Sequence, residues 1–200
     1  MMEFDRFLTA LKTEGDIQSY LDTLPYNPVA ETKSPFQVYL RKNAHCMEGA
    51  IFAALALSKL GHKPRLIWMD AEDDDGHALA IFKKDGLWGS IAKSNTSLLR
   101  GRDPIYKTLR ELIISYFEFY FNTKGVKSLR SYTAPLSLGK LSNGWETTEG
   151  DLSYVGDMFD GLKHYPVIPR RTKKVLTLAS KDVMHACFFC SDEKGLYKPS

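Results

Sequence analysis

The chain has 200 residues, of which 44% are hydrophobic and 12% aromatic, enough to bury a core of ordinary size. Its formal net charge of +3 is spread along the sequence, which speaks against an extended nucleic-acid surface. No apolar run reaches the roughly 20 residues that span a bilayer, and Met1–Phe7 lacks a signal-peptide pattern. Three cysteines, an odd number, suit a reducing compartment, so a cytoplasmic location is expected.

In chain order, Phe4, Phe7, Leu8 and Leu11 recur at helical spacing, and Gly15 separates them from a second short helix, Ile17 to Leu24. Pro25 and Pro28 end that run, and Pro35 starts another short helix. Cys46 to Leu60 is apolar nearly all round and predicts a buried central helix stopped by Gly61. Arg65–Ala71, His77–Lys83 and Leu87–Ala92 read as strands, the last two as a hairpin turning at Lys83-Lys84-Asp85-Gly86. Ile105 to Asn122 predicts a long aromatic helix with Pro104 in its first turn. Lys127–Pro135 reads as extended. Thr148 and Asp151 stand in capping-box positions before a helix reaching about Leu162. Val175–Leu178 and Cys187–Phe189 read as short strands or buried turns. Without repeats or a linker, residues 1–200 are expected to form one domain.

Cys46 opens the central helix. Unpaired N–H groups and the macrodipole at a helix start favour a thiolate, which is the nucleophilic form of cysteine. His77, at the start of a strand, is the candidate base.

The order of a Cys at a helix start, a helix ending Leu60-Gly61, the strand Arg65–Met69, and the hairpin Gly76–Phe82 into Leu87–Ile91 resembles the core of the transglutaminase-like superfamily. That superfamily is a branch of the papain-like thiol enzymes. The match covers roughly residues 36–95. Trp88–Asn95 and Thr108–Leu112 extend the likeness to a bacterial group of transglutaminase-like proteins, without naming a substrate. The resemblance implies an α+β fold of papain-like type, with the Cys-bearing helix packed on an antiparallel sheet. The core would span about 35–95, with additions at 1–34 and 104–200. The implied activity is thiol-dependent acyl chemistry on a peptide or protein amide, either hydrolysis or acyl transfer, with no cofactor and no membrane partner.

The superfamily completes its triad with an Asp on the second hairpin strand. Counting four on from Trp88 gives Ala92, and the turn at 83–86 would set Ala92 opposite His77. Ser90, Asn95 and the run Asp73-Asp74-Asp75 are the alternative orienters of the imidazole. For the oxyanion, the Cys46 backbone N–H is the first candidate and Gln37 the second. Trp88 is a candidate binding residue on the partner strand. His45 reads as a solvent-facing loop residue.

Three further features have a structural reading beside a functional one. Cys187-Phe188-Phe189-Cys190, with His185 nearby, has half of a zinc spacing but reads as two buried thiols, so no metal is expected. The basic run Arg170-Arg171-Thr172-Lys173-Lys174 reads as a solvated loop, with nucleic-acid binding the weaker alternative. The absence of an Asp at position 92 favours a rival function, a catalytically silent domain that binds a peptide or partner protein in the same cleft.

Overall fold

A computed structural model describes residues 1–141 and 143–199. Two short helices come first, α1 (Met2–Ala10) and α2 (Glu14–Thr23). The Thr13 hydroxyl accepts the Asp16 N–H at 3.1 Å and the Asp16 carboxylate accepts the Thr13 N–H at 2.9 Å, a reciprocal cap that fixes the α2 start. Ser34 caps α3 (Pro35–Arg41). The helix α4 (Cys46–Lys59) is buried from Met47 to Leu57, as its nearly continuous apolar sequence requires.

The strands β1 (Arg65–Ala71), β2 (His77–Lys84) and β3 (Leu87–Ile91) follow as an antiparallel meander. Their hairpin turns on two residues rather than four. Asp85 and Gly86 have φ of 50° and 83°, and Lys84 pairs with Leu87. Two successive positive φ values match the twist of the flanking strands, which is why Asp-Gly selects this short loop. The pairing Ala80–Ile91, continued one residue, sets Ala92 beside Leu79 rather than His77. The expected register is therefore displaced by two residues.

The predicted long helix over 105–122 is divided. Arg102–Tyr106 forms β4 and Leu109–Phe117 forms α5, whose N-terminus is capped by Thr108 accepting the Glu111 N–H at 3.1 Å. Pro104 lies within β4, an edge strand, where a missing N–H costs no ladder bond. It does not begin a helix. Beyond α5 come β5 (Leu129–Thr133), β6 (Leu136–Ser137), α6 (Tyr154–Asp160), β7 (His164–Pro166) and α7 (Lys181–Phe188). The stretches expected as short strands or buried turns near 175–178 and 187–189 are neither, and Val175, Leu178 and Phe189 are exposed. Arg170–Val175 is a 3-10 turn, and Cys187 lies in α7, started by Ser180 accepting the Val183 N–H. Asp151 accepts N–H bonds from Thr32 and Ser153, so it ties a distant loop to the entry of α6 rather than making a box with Thr148.

The fold is α+β. Its sheet is antiparallel, in the order β4-β3-β2-β1-β5-β7, with β6 pairing the start of β1. Along β2, Ala78, Ala80 and Phe82 pack with α4, α1 and α2, whereas Leu79 and Ile81 join Ala92, Leu112 and Tyr116 of the α5 layer. The small side chains of Ala78 and Ala80 let α4 lie close on the sheet. Among the described residues no helix is long and apolar enough to cross a membrane.

Candidate active site

The N-terminus of α4 is built around a buried acid. The Glu48 carboxylate accepts the His45 N–H at 2.8 Å, the Lys33 N–H at 2.9 Å and the Asn27 amide at 3.1 Å and 3.2 Å. Lys33 Nζ stands 3.6 Å away. One carboxylate thus holds the helix cap and the 27–33 loop together. His45 is the cap residue and not a loop residue facing solvent. Its Nδ1 accepts the Met47 N–H at 3.2 Å and its Nε2 donates to the Glu31 carbonyl at 3.1 Å. One turn on, a Cβ on Gly49 would meet Lys93 Cβ at 2.3 Å, so glycine lets the chain leaving β3 cross the helix. Lys93 is itself buried, and Nζ caps the carbonyls of Leu21 and Leu24 at the end of α2.

Cys46 and His77 line one cavity of about 600 Å³, together with Tyr26, Trp68, Asp75 and Gly76. The cavity runs round the start of β2 and so reaches both faces of the sheet. The imidazole alternates with Ala78 and lies on the α5 side, whereas Trp68, across from Ala78, lies on the α4 side. Gly76 packs directly on the Trp68 ring, because a Cβ there would stand 2.1 Å from it.

His77 is buried and its Nε2 donates to the Leu99 backbone carbonyl at 3.0 Å. A carbonyl only accepts, so Nε2 carries the proton and Nδ1 is the ring's acceptor. Burial, with a smaller contribution from the Arg102 charge, pushes the imidazole down to about 4, against the Leu99 bond. Cys46 is half-buried on the cavity, and desolvation there, helped by the Asp75 charge, pushes its thiol up to about 11, although the N–H groups of Ala78, Met47 and Cys46 favour its anion. The expected lowering of this pKa by the helix start is therefore reversed, because desolvation outweighs the backbone donors. At neutral pH the pair is a thiol and a neutral imidazole.

Of the candidate orienters of His77, Ser90 lies off the cavity, and Asn95, Asp74 and Asp75 line it with their polar groups bonded to other partners or raised by burial. Ser90 pairs with Ile81, four residues along β2, which at about 3.3 Å per residue is some 13 Å from His77. Its hydroxyl meets Tyr116 Oη at 2.7 Å. Asn95 lines the cavity, but its amide is spent on Asp192, donating to the carbonyl and accepting the N–H, both at 2.9 Å. Asp74 and Asp75 also line the cavity. The Asp74 carboxylate accepts from Ser128 and from the Asp75 N–H, and burial lifts it to about 6. Burial raises Asp75 too. Trp88 lies beyond Ser90, beside Tyr106, with Lys83 Nζ 5.3 Å above its ring. Gln37 lines a second cavity with Lys33, Arg41 and Glu149, and not the one that holds Cys46.

Tyr26 lines the cavity without a sequence signal of its own. The phenol of Tyr26 is within reach of the Cys46 backbone N–H, and burial raises its pKa. Residues 194–198 form another wall of the cavity, with Gly195 packed on the Tyr26 ring and Tyr197 Oη 3.5 Å from Asp73. Of the two distal thiols, both expected to be buried, Cys187 is buried and Cys190 is exposed. In the basic run, Lys173 is paired with Glu72, which also takes Arg130 at 2.8 Å.

No protein-family model and no curated protein matches the sequence.

Proposed function

We propose that the chain carries out thiol-dependent acyl chemistry on an amide through Cys46 and His77, within a core of transglutaminase-like, papain-like type. The observation that carries this reading is the placement of a helix-start thiol and an Nε2-protonated imidazole on one cavity. The carbonyl of Leu99 takes the place that a carboxylate or amide side chain has in thiol enzymes, holding the ring in the tautomer whose Nδ1 can receive a proton.

With both groups neutral, His77 acts as a general base during attack rather than as the partner of a standing thiolate. Cys46 Sγ bonds to the amide carbon while its proton passes to Nδ1 through a water in the cavity that the two residues share. The oxyanion that forms is drawn to the backbone N–H of Cys46 at the helix start, where Tyr26 gives way or shares it. The imidazolium then returns the proton to the leaving amine as the C–N bond breaks, leaving a thioester on Cys46. Water, or a second amine, attacks that thioester and gives its proton to Nδ1; the C–S bond then breaks, the imidazolium returns the proton to Sγ, and a carboxylic acid or a new amide is released. The substrate class is a peptide or protein amide and the setting cytoplasmic.

The second reading, a silent domain that binds a peptide in the same cavity, is favoured by the same shifts that keep the pair neutral. A peptide thioester separates the two. Mass spectrometry of the protein mixed with it should show an acyl adduct on Cys46 that disappears with time, and an adduct that both forms and decays far more slowly in His77→Ala. The absence of any adduct on Cys46 in the wild type would favour the binding domain.

A further inference from the structure

We infer that Gln18 and Arg102 are positioning residues for His77, acting through the backbone carbonyl of Leu99. This rests on the thiol–imidazole reading above. It adds the device that replaces the missing third side chain.

The chain leaves β3 after Ile91 and rejoins the sheet at Arg102, so Ala92–Gly101 is a loop that meets the imidazole through one carbonyl. A loop carbonyl orients a ring only if its own peptide plane is held. Two side chains hold it. Gln18, from α2, closes the loop at its ends. Its Oε1 accepts the N–H of Ala92 and of Gly101, both at 3.1 Å, and its Nε2 donates to the Ala92 carbonyl at 3.0 Å. A further bond from Nε2 to Asp22 at 2.9 Å fixes which way the amide faces. The approach is close enough that a Cβ on Gly101 would stand 2.4 Å from Gln18 Oε1 and 2.5 Å from the Ser90 carbonyl.

Arg102 holds the middle of the loop. Its guanidinium donates to the carbonyls of Leu98 at 3.0 Å, Arg100 at 3.0 Å and Gly101 at 3.2 Å. Those of Leu98 and Arg100 flank Leu99. The guanidinium is itself fixed, 4.0 Å over the Tyr116 ring and with Nε 3.3 Å from Ser115 Oγ. The Tyr116 hydroxyl donates to the Arg100 carbonyl at 3.0 Å. With both neighbouring carbonyls turned to one cation, the Leu99 carbonyl is left facing His77. Tethering a loop needs one contact. Capture of the carbonyls on both sides of the one that meets the imidazole is what sets the orientation of that carbonyl. The Arg102 charge also opposes protonation of the ring, which preserves the neutral form that accepts from a thiol.

The test reads the imidazole directly. Long-range proton–nitrogen NMR of the 15N-labelled full chain, with His77 assigned by loss of its signals in His77→Asn, should show one tautomer, protonated at Nε2. In Gln18→Leu and in Arg102→Lys, which keeps the charge but cannot bracket Leu99, the tautomer ratio should move toward the other form by about fivefold, the worth of one hydrogen bond of ordinary net strength. Leu8→Ala, in the α1 core, controls for general destabilisation and should leave the ratio unchanged. Should Arg102→Lys not fold, Tyr116→Phe, which deletes one hydroxyl from the clamp, is read in the same way. A single Nε2–H tautomer in folded Gln18→Leu together with folded Arg102→Lys or Tyr116→Phe would overturn the inference. Failure of the acyl chemistry would appear separately, as absence of a Cys46 adduct in a wild type whose His77 spectrum is as described.

Discussion

The pH dependence of Cys46 alkylation follows from the site's electrostatics. Burial lifts the thiol from 9.0 to about 11. Two pH units mean about a hundredfold less thiolate at pH 7 than an unperturbed cysteine would hold, and the thiolate is the species that reacts. Alkylation of Cys46 by iodoacetamide should therefore rise about tenfold per pH unit above neutrality and level off only near about 11. A timed labelling series read by mass spectrometry on the Cys46 peptide measures this, with exposed Cys190 as the internal reference for the reagent. At pH 6 and pH 7, Cys190 should label first. The sign of the stability linkage is the same. A folded pKa above the unfolded one contributes stability below pH 9.0 that is lost as pH rises through about 11. Labelling of Cys46 ahead of Cys190 at pH 6, with a plateau already reached below pH 7, would refute the reasoning. It would mean that a standing thiolate–imidazolium pair outweighs desolvation.

Three further outcomes are expected. Glu48→Ala removes the buried acceptor of the helix cap and the 27–33 loop, and breaking such a buried group costs about 3–5 kcal/mol, or a fall of roughly 6–20 °C in Tm for a chain of this size; a loss below about 1 kcal/mol in urea titrations would show that the cap does not depend on it. His77, depressed from 6.5 to about 4, contributes stability present above pH 6.5 and lost as pH falls through 4, so the wild type should lose roughly 3 kcal/mol relative to His77→Asn over that window. Asp74 acts with the opposite sign there, but it is common to both proteins, and parallel curves would contradict the shift. Asn95→Ala deletes both bonds to Asp192 and should speed Cys46 labelling at pH 9 by about fivefold, as residues 194–198 loosen from the cavity; an unchanged rate would show that this segment does not shield the thiol.

Much of the fold was legible because the sequence carries strong local signals. The apolar run after Cys46, the Pro35 start and the Asp-Gly turn each correspond to an element within a residue or two. The long-helix expectation failed at Pro104, where one residue type suits both a helix first turn and an edge strand, and only the sheet context separates them. The register expectation failed because a four-residue turn was assumed where two positive-φ residues suffice, and that error placed Ala92 across from His77. In the site, Cys46, His77 and Asn95 line the cavity and Ser90, Trp88 and Gln37 do not. What meets the imidazole is a backbone carbonyl, which every residue possesses and no sequence pattern marks. The residues that hold that carbonyl, Gln18 and Arg102, come from α2 and β4, distant in sequence and ordinary in type. The thiol pKa departs from the sequence expectation for a related reason. A helix start is visible in sequence, but the degree of burial that opposes it comes from packing.

The central claim is that Cys46 and His77 act as one pair. 1,3-Dibromoacetone tests it most directly, because the reagent alkylates a thiol and then bridges it, through three carbons, to a second nucleophile within reach. Treatment of the folded protein at pH 8–9 followed by proteolysis and mass spectrometry should yield a peptide pair cross-linked between Cys46 and His77, lost in His77→Asn. Alkylation of Cys46 that ends unbridged, or that bridges to His45 instead, would contradict the account.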